Sequence, residues 1–204
     1  LTEILENYAQ VVEEIHPKTG KKKHVQIFPR YHQLDVVRMI LADVVEHGAG
    51  KRYLIQHSAG SGKSNSIAWL AHQLISLTKG GKLVFDSVIV ITDRRILDKQ
   101  IRETIKGFAQ VSSIIGAVKE GAGTSKTEQL TKYLKDGKKL IISTVQTFPH
   151  VLDSIGDEHR GGKFAIIIDE AHSSQSGRTS SAVSQAVADS EDEINDALDE
   201  RIKK

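Results

Sequence analysis

The chain has 204 residues, of which 39% are hydrophobic and 26% are charged, a composition typical of folded globular proteins rather than of disordered ones. Its formal net charge of +2 is too small to argue for a nucleic-acid partner by itself. The sequence contains no cysteine, which excludes disulfides and cysteine-ligated zinc. It also has neither a membrane-length apolar run nor a basic-then-apolar signal segment at its start, so we expect a cytoplasmic protein.

Residues 1–27 are expected to form an N-terminal extension built from extended segments. Two apolar stretches, ILENYAQVVEEI (4–15) and HVQIF (24–28), flank the sequence PKTGKKK (17–23). Pro17 and Gly20 predict a turn there. The lysines of this turn could contact a nucleic-acid backbone, or they could simply be exposed to solvent.

The rest of the chain alternates between helical and extended patterns. Apolar residues recur at three- and four-residue steps from Tyr31, which predicts an amphipathic helix that ends near Gly48. Further helices are predicted over 67–77, 96–105 and 128–134. Strands are predicted at 53–56, 85–92, 112–118, 139–145 and 164–168. Ile- and Val-rich strands that alternate with helices predict a three-layer α/β/α fold with a mostly parallel sheet.

The stretch HSAGSGKSNSIAWLAHQL (57–74) places a small-residue loop before a helix. Glycines let backbone N–H groups surround phosphate oxygens, and the helix N-terminus adds unpaired donors and a positive dipole end. The residues expected to bind the phosphates of a nucleotide are Ser58, Ala59, Gly60, Ser61, Gly62, Lys63 and Ser64.

Two residues of this loop have specific expected roles. Lys63 would reach the β- and γ-phosphates, and the Ser64 hydroxyl would ligate Mg²⁺. The pattern G-x-x-x-x-G-K-[ST] has glycine where this chain has His57. The alternative interpretation is a glycine-rich turn that happens to contain a lysine.

The stretch FAIIIDEAH (164–172) supplies carboxylates at the end of an apolar strand. In an open parallel sheet, the carboxyl ends of the strands line the ligand crevice. Asp169 is therefore expected to hold Mg²⁺ opposite Ser64, and Glu170 to orient and deprotonate an attacking water. The alternative is an acidic cap at the end of a strand, and His172 could be an ordinary loop histidine.

These residues resemble a known family of motors. The string Asp-Glu-Ala-His (169–172) is similar to the DEAH form of the Walker B motif of superfamily-two helicases and translocases. Residues 57–64 are similar to that superfamily's Walker A motif, which does not require glycine at its first position. The resemblance implies a RecA-like P-loop NTPase lobe, and we place this lobe at residues 28–177.

Further motifs resemble those of the R subunit of type I restriction endonucleases. They are FPRYHQLDVVR (28–38), ITDRRILDKQI (91–101), LIISTVQTF (140–148) and DEAHSSQSG (169–177). The resemblance implies that Gln33 reads adenine through its amide, which offers one donor side and one acceptor side. It also implies that His172 couples nucleotide state to the motor. The residues that it places near DNA include Thr92, Arg94, Arg95, Thr144 and Gln146.

By this resemblance, the chain belongs to an ATP-dependent type I site-specific deoxyribonuclease of the prokaryotic cytoplasm, with ATP and Mg²⁺ as cofactors. The partners implied are double-stranded DNA, contacted through its backbone, and the methyltransferase and specificity subunits. A second RecA-like lobe and a nuclease domain are expected elsewhere in the polypeptide. The start at Leu1 and the short sequence after Asp169 suggest a fragment, and residues 178–204 are expected to form a polar tail, helical or partly disordered. The lobe alone is expected to bind ATP and Mg²⁺ weakly and to hydrolyse ATP slowly or not at all.

Three other functions remain open on the sequence. The chain could be a lobe of another superfamily-two DNA or RNA helicase. It could be a P-loop kinase or GTPase, although that reading leaves the DEAH string and Gln33 unexplained. It could also be an interaction module with a vestigial nucleotide site.

Overall fold

The computed structural model describes residues 2–15, 19–92, 104–105, 115–118, 125–144 and 162–169. Its helices are α1 (Thr2–Asn7), α2 (Tyr31–His47), α3 (Lys63–Leu74) and α4 (Lys126–Lys135). Its strands are β1 (Gln10–Ile15), β2 (Lys22–Ile27), β3 (Thr78–Lys79), β4 (Lys82–Leu83), β5 (Ser87–Thr92), β6 (Ile115–Ala117), β7 (Leu140–Thr144) and β8 (Phe164–Ile168). None of the described helices is long and apolar enough to cross a membrane.

The N-terminal residues form a short helix followed by a hairpin. Strands β1 and β2 pair antiparallel from Gln10 opposite Ile27 to Ile15 opposite Lys22. Residues 4–7 of the first apolar stretch, predicted to be extended, are helical instead. Helix α1 was not predicted. It has only six residues, too few for a helical period to stand out from an apolar stretch.

Helix α2 begins at Tyr31 and ends at His47, as its periodicity predicts. Its buried face carries Val37, Ile40 and Val44. Gly48 follows the helix with a φ of 84°, a conformation that glycine adopts without strain, and its N–H donates to the Val44 carbonyl.

Helix α3 begins at Lys63, directly at the loop, and ends at Leu74. Its predicted span was 67–77, so the structure moves both ends towards the N-terminus. The helix is apolar on most sides and buries Trp69 almost completely. The chain then turns through Gly80 and Gly81, both at positive φ, into the unpredicted hairpin β3–β4.

The prediction of a strand at 53–56 is wrong in this structure. Residues 51–58 form no regular element, and the side chain of Leu54 is 92% exposed. The segment is held instead by Asp43 of α2, which accepts hydrogen bonds from Tyr53 Oη at 2.6 Å and from Lys51 Nζ at 3.0 Å. A four-residue apolar run does not determine its own partner strand, because pairing is decided by the rest of the sheet.

The central sheet has four parallel strands in the order β6-β7-β5-β8. The strands predicted over 85–92, 112–118, 139–145 and 164–168 are all present, and β5 begins two residues later than predicted. Residues 112–114 and 145 lie outside the described ranges. Of the helix predicted over 96–105, only residues 104 and 105 are described, and both are helical. The polar tail lies outside the described residues.

Helices cover both faces of this sheet. Val88 and Val90 of β5 point into the core formed with α2 and α3. Ile89 and Ile91 point to the other face, where they pack with Leu130 of α4. Helix α4 begins at a capping box in which Ser125 and Glu128 exchange hydrogen bonds. The predicted α/β/α layering with a parallel sheet is confirmed.

The N-terminal unit, formed by α1, β1 and β2, shares the core of α2 and α3. Trp69 Nε1 donates to the Tyr8 carbonyl at 2.9 Å, and the two rings lie 6.1 Å apart at an angle of 51°. Arg38 of α2 forms an ion pair with Glu3 of α1. The unit therefore packs against the two helices that flank the small-residue loop.

Gly116 of β6 is expected to be sensitive to any side chain. A Cβ at this position would lie 2.7 Å from the Tyr133 ring of α4. We expect Gly116→Ala to reduce the free energy of unfolding by about 1–3 kcal/mol, as for other overpacked cores. Urea denaturation measures the change, and the same substitution in a Tyr133→Ala background should cost less. Equal losses in both backgrounds would contradict this packing.

His72 of α3 is expected to make stability depend on pH. Its Nε2–H donates to the Ile105 carbonyl at 2.8 Å, and burial lowers the pKa of the ring below its usual value of 6.5, which this hydrogen bond offsets only in part. As the pH falls, His72 is therefore protonated at a higher pH in the unfolded chain than in the folded chain. The contribution of neutral His72 to the free energy of unfolding is complete above pH 6.5. It decreases as the pH falls from 6.5 through the lower pKa of the folded state.

His72→Gln keeps an amide donor for the Ile105 carbonyl but cannot titrate. We expect it to match the parent chain at pH 7.5 and to lose less stability at acidic pH, measured as unfolding free energy in urea. A pH slope identical to that of the parent would contradict this role of His72.

Candidate functional site

The small-residue loop turns twice through the left-handed region before α3 begins. Gly60 has a φ of 73° and Gly62 a φ of 83°, which glycine adopts at no steric cost. The Ser61 N–H donates to the Ser58 carbonyl at 3.2 Å and closes the first turn. Residues 58–60 are exposed, whereas Ser61 is only 8% exposed.

Gly62 is required for a second reason. A Cβ at this position would overlap Nε2 of Gln33, because that amide lies directly against the backbone. The Gly62 carbonyl accepts from the N–H groups of Asn65 and Ser66 and so starts the helix. Lys63 and Ser64 hold the first positions of α3, where N–H groups have no carbonyl partner within the helix.

Gln33 of α2 is 3% exposed and holds the loop from behind. Its Nε2 donates to the carbonyls of Ser61 at 3.1 Å and Gly62 at 2.9 Å, and its Oε1 accepts from the Arg30 N–H at 2.8 Å. Both sides of the amide are thus engaged. Adenine recognition by Gln33 stays a prediction, and it would require some of these hydrogen bonds to open.

These hydrogen bonds orient the loop. In a trans peptide the C=O and the following N–H point in opposite directions. Because the carbonyls of Ser61 and Gly62 point towards α2, the N–H groups of Gly62 and Lys63 point away from it. The loop therefore presents donors on the side opposite α2, as an anion site requires.

Two histidines also contact Ser61, and the sequence did not reveal these contacts. His32 Nε2 donates to the Ser61 carbonyl at 3.2 Å, and His57 Nδ1 lies 2.9 Å from Ser61 Oγ. Burial lowers the pKa of His57, with smaller contributions from His32 and Lys63. The only signal in the sequence was His57 itself, which stands where the phosphate-loop pattern has glycine.

Asp169 lies at the carboxyl end of β8, as predicted, and faces the loop. Its N–H donates to the Ile91 carbonyl at 2.8 Å, so the parallel ladder with β5 extends to this residue. Lys63 Nζ lies 2.7 Å from Asp169 Oδ1. The structure thus brings together the lysine and the carboxylate that the motifs placed in one site.

This ion pair is largely shielded from water. The Asp169 side chain is 1% exposed and that of Lys63 is 33% exposed. The contact is close enough for an ion pair, but among the described residues Asp169 Oδ1 has no partner with hydrogen-bond geometry. A buried carboxylate with spare acceptor capacity fits a cation, either the lysine seen here or a metal ion.

Only some of the other predicted site residues are described. Ser64 is half-buried in the first turn of α3, next to Lys63. The described residues contain no group of three or more His, Cys, Asp or Glu side chains that could hold a metal. Five of the predicted site residues lie outside the described ranges, namely Glu170, His172, Arg94, Arg95 and Gln146.

Two predicted DNA-contact residues are described. Thr144 ends β7 and is half-buried. Thr92 ends β5, is fully buried, and its hydroxyl donates to the Ser143 carbonyl at 3.5 Å. A DNA contact by Thr92 stays a prediction, and it would require this buried side chain to become accessible.

Comparison with known proteins identifies the family. The model of the SWI2/SNF2 ATPase family matches residues 32–197, most of the chain. The chain belongs to the SWI2/SNF2 ATPase family. With the parallel sheet and the phosphate loop, this membership confirms the RecA-like α/β fold.

Curated relatives confirm the resemblance to type I restriction enzymes. The endonuclease subunit of a type I restriction enzyme from Staphylococcus saprophyticus is 31% identical over 152 residues, which is 72% of this chain and 15% of the relative. A corresponding subunit from Staphylococcus aureus strain COL is 30% identical over 152 residues, with the same coverage. This SWI2/SNF2 ATPase is therefore related to those subunits, and it spans only 15% of their length.

Solved structures show a weaker likeness. The UvsW helicase from bacteriophage T4 has a TM-score of 0.47 and 21% identity, over 77% of this chain and 48% of that chain. A second structure of T4 UvsW has a TM-score of 0.44 and 16% identity, over 70% of this chain and 30% of that chain. The fold assignment of the SWI2/SNF2 ATPase rests on its own sheet and on its family.

Lys63→Met is expected to destabilise the SWI2/SNF2 ATPase, because it leaves the buried Asp169 carboxylate without its cation. Breaking buried pairs costs several kcal/mol, and the partial exposure of Lys63 reduces our expectation to about 1–3 kcal/mol. Adding Asp169→Asn should recover most of the loss, measured by urea denaturation. A Lys63→Met chain as stable as the parent would show that the pair does not form in solution.

Proposed function

We propose that the chain is the ATP-binding motor lobe of a type I restriction enzyme R subunit. The observation that carries the proposal is the ion pair between Lys63 and Asp169, because it joins the phosphate loop to the carboxylate that follows β8. These are the two elements from which P-loop NTPases build a nucleotide site. Family membership and the restriction-enzyme relatives support the same function.

The described residues fit ATP together with Mg²⁺. The loop presents N–H groups for phosphate oxygens, and Lys63 carries the positive charge that would move from Asp169 to the phosphates. Ser64 and Asp169 would hold Mg²⁺, and the metal would neutralise charge on the phosphates. Asp169 Oδ1 makes no hydrogen bond among the described residues, so it is the atom at which a cation would bind.

The remaining assignments extend this site. We propose that Glu170 orients and deprotonates the attacking water, that Gln33 reads adenine, and that His172 couples nucleotide state to the motor. Arg94, Arg95, Thr144 and Gln146 are proposed to contact the DNA backbone. Residues 28–177 would form the lobe, residues 1–27 its N-terminal extension, and residues 178–204 a tail that leads to a second lobe.

The complete polypeptide would couple ATP hydrolysis to translocation of double-stranded DNA and to its cleavage in the prokaryotic cytoplasm. The second RecA-like lobe and the nuclease domain would belong to the same polypeptide, and the methyltransferase and specificity subunits would complete the enzyme. In related NTPases an arginine supplied from outside the phosphate loop raises the rate by about 10³–10⁵. The lobe alone is therefore expected to bind nucleotide but to turn it over slowly.

Nucleotide binding tests this proposal. A fluorescent ATP analogue is titrated into the 204-residue chain with Mg²⁺, and Lys63→Ala and Asp169→Asn are compared with the exposed-lysine control Lys82→Ala. We expect saturable binding that weakens at least about tenfold in Lys63→Ala and loses its Mg²⁺ dependence in Asp169→Asn, since each removes a charge from the site. Lys82→Ala should bind like the parent.

Two results would contradict the proposal. One is the absence of binding to the parent chain, and the other is binding that Lys63→Ala leaves unchanged. Rapid DNA-stimulated ATP hydrolysis by the lobe alone would overturn the expectation that a second lobe is needed.

A further inference from the structure

His57 occupies the first position of the phosphate loop, where glycine is the residue of the general pattern. This chain carries an imidazole ring there instead. Its Nδ1 lies 2.9 Å from Oγ of Ser61, four residues further along the loop. The contact therefore spans the loop from its entry to the residue before Gly62.

Contacts from three other side chains converge on Ser61. Its backbone carbonyl accepts from Gln33 Nε2 at 3.1 Å and from His32 Nε2 at 3.2 Å. Its hydroxyl contacts the ring of His57. Ser61 is buried while residues 58–60 beside it are exposed, so these contacts fix one end of an otherwise open loop.

The position of Ser61 controls the donors of the site. The direction of its carbonyl sets the opposite direction of the Gly62 N–H, because both belong to one trans peptide. If the Ser61 side chain were released, this peptide could rotate more freely, and the loop would have to be ordered when a ligand binds. Ordering a loop on binding lowers affinity, whereas a pre-organised loop avoids that cost.

We propose that His57 is a positioning residue of the nucleotide site, which holds Ser61 so that the loop is pre-organised for phosphate. This inference rests on the proposed function. His57 acts through Nδ1, which lies one bond from Cγ, and its Nε2 is buried without a hydrogen-bond partner among the described residues. Among the residues that the structure describes, the charged or titratable groups beside the ring are His32, whose ring centre is 6.0 Å away, and Lys63.

The geometry of the imidazole permits a matched test. The amide of asparagine places a nitrogen or oxygen close to the position of Nδ1, whereas the longer glutamine places it close to the position of Nε2. We therefore expect His57→Asn to bind ADP within about twofold of the parent chain. His57→Gln and His57→Ala should bind about three- to tenfold more weakly, the usual effect of one lost hydrogen bond.

A double-mutant cycle tests whether the effect passes through Ser61. Ser61→Ala alone should weaken ADP binding about as much as His57→Ala, and the combined variant should be no weaker than either single variant. Calorimetric titration of the 204-residue chain measures affinity, and thermal unfolding verifies that each variant is folded. Losses that multiply in the combined variant would overturn the proposal.

Amide hydrogen exchange of the peptide that covers residues 57–64 provides a readout without nucleotide. Exchange should be faster in His57→Ala and His57→Gln than in the parent, and like the parent in His57→Asn. Unchanged exchange in His57→Ala, or ADP binding as tight as in the parent, would overturn this inference alone. A parent chain that binds no ADP would instead overturn the proposed function.

Discussion

The ion pair between Lys63 and Asp169 is the contact that holds the small-residue loop against the end of the parallel sheet. It joins the first residue of α3 to the first residue after β8, two positions separated by more than half of the chain. The pair forms because the parallel ladder between β5 and β8 carries Asp169 to the end of the sheet at which the loop lies. An almost fully buried carboxylate needs a cation, and this lysine supplies one.

Helix α2 gives the loop its second support. Gln33 holds two carbonyls of the loop, and His32 holds one of them again from the same helix. These contacts require Gly62, whose lack of a side chain leaves room for the glutamine amide. The motif upstream of the phosphate loop therefore has a structural role that does not depend on nucleotide. Through Trp69 and Tyr8 the same helical layer also binds the N-terminal unit.

Much of the fold could be predicted because its signals are local. The period of α2, the apolar runs of β5, β7 and β8, and the glycine loop each stand in a short window of sequence. The prediction of a strand over 53–56 was wrong because a four-residue apolar run carries no information about the strand with which it would pair. Helix α1 and the hairpin β3–β4 were missed because six and two residues are too short to show a period.

The sequence by itself determined the class of the fold, the loop residues, the carboxylate after β8 and the resemblance to restriction-enzyme motors. These features follow from particular residue types at fixed spacings, because the chemistry of a phosphate loop or of a buried strand permits few residue types at each position. Only the tertiary structure decided that Gln33 engages the loop and that two histidines converge on Ser61. It also decided that Thr92 is buried. Such contacts depend on how separate segments pack, and the burial of a side chain is a property of the packed chain rather than of its neighbours in sequence.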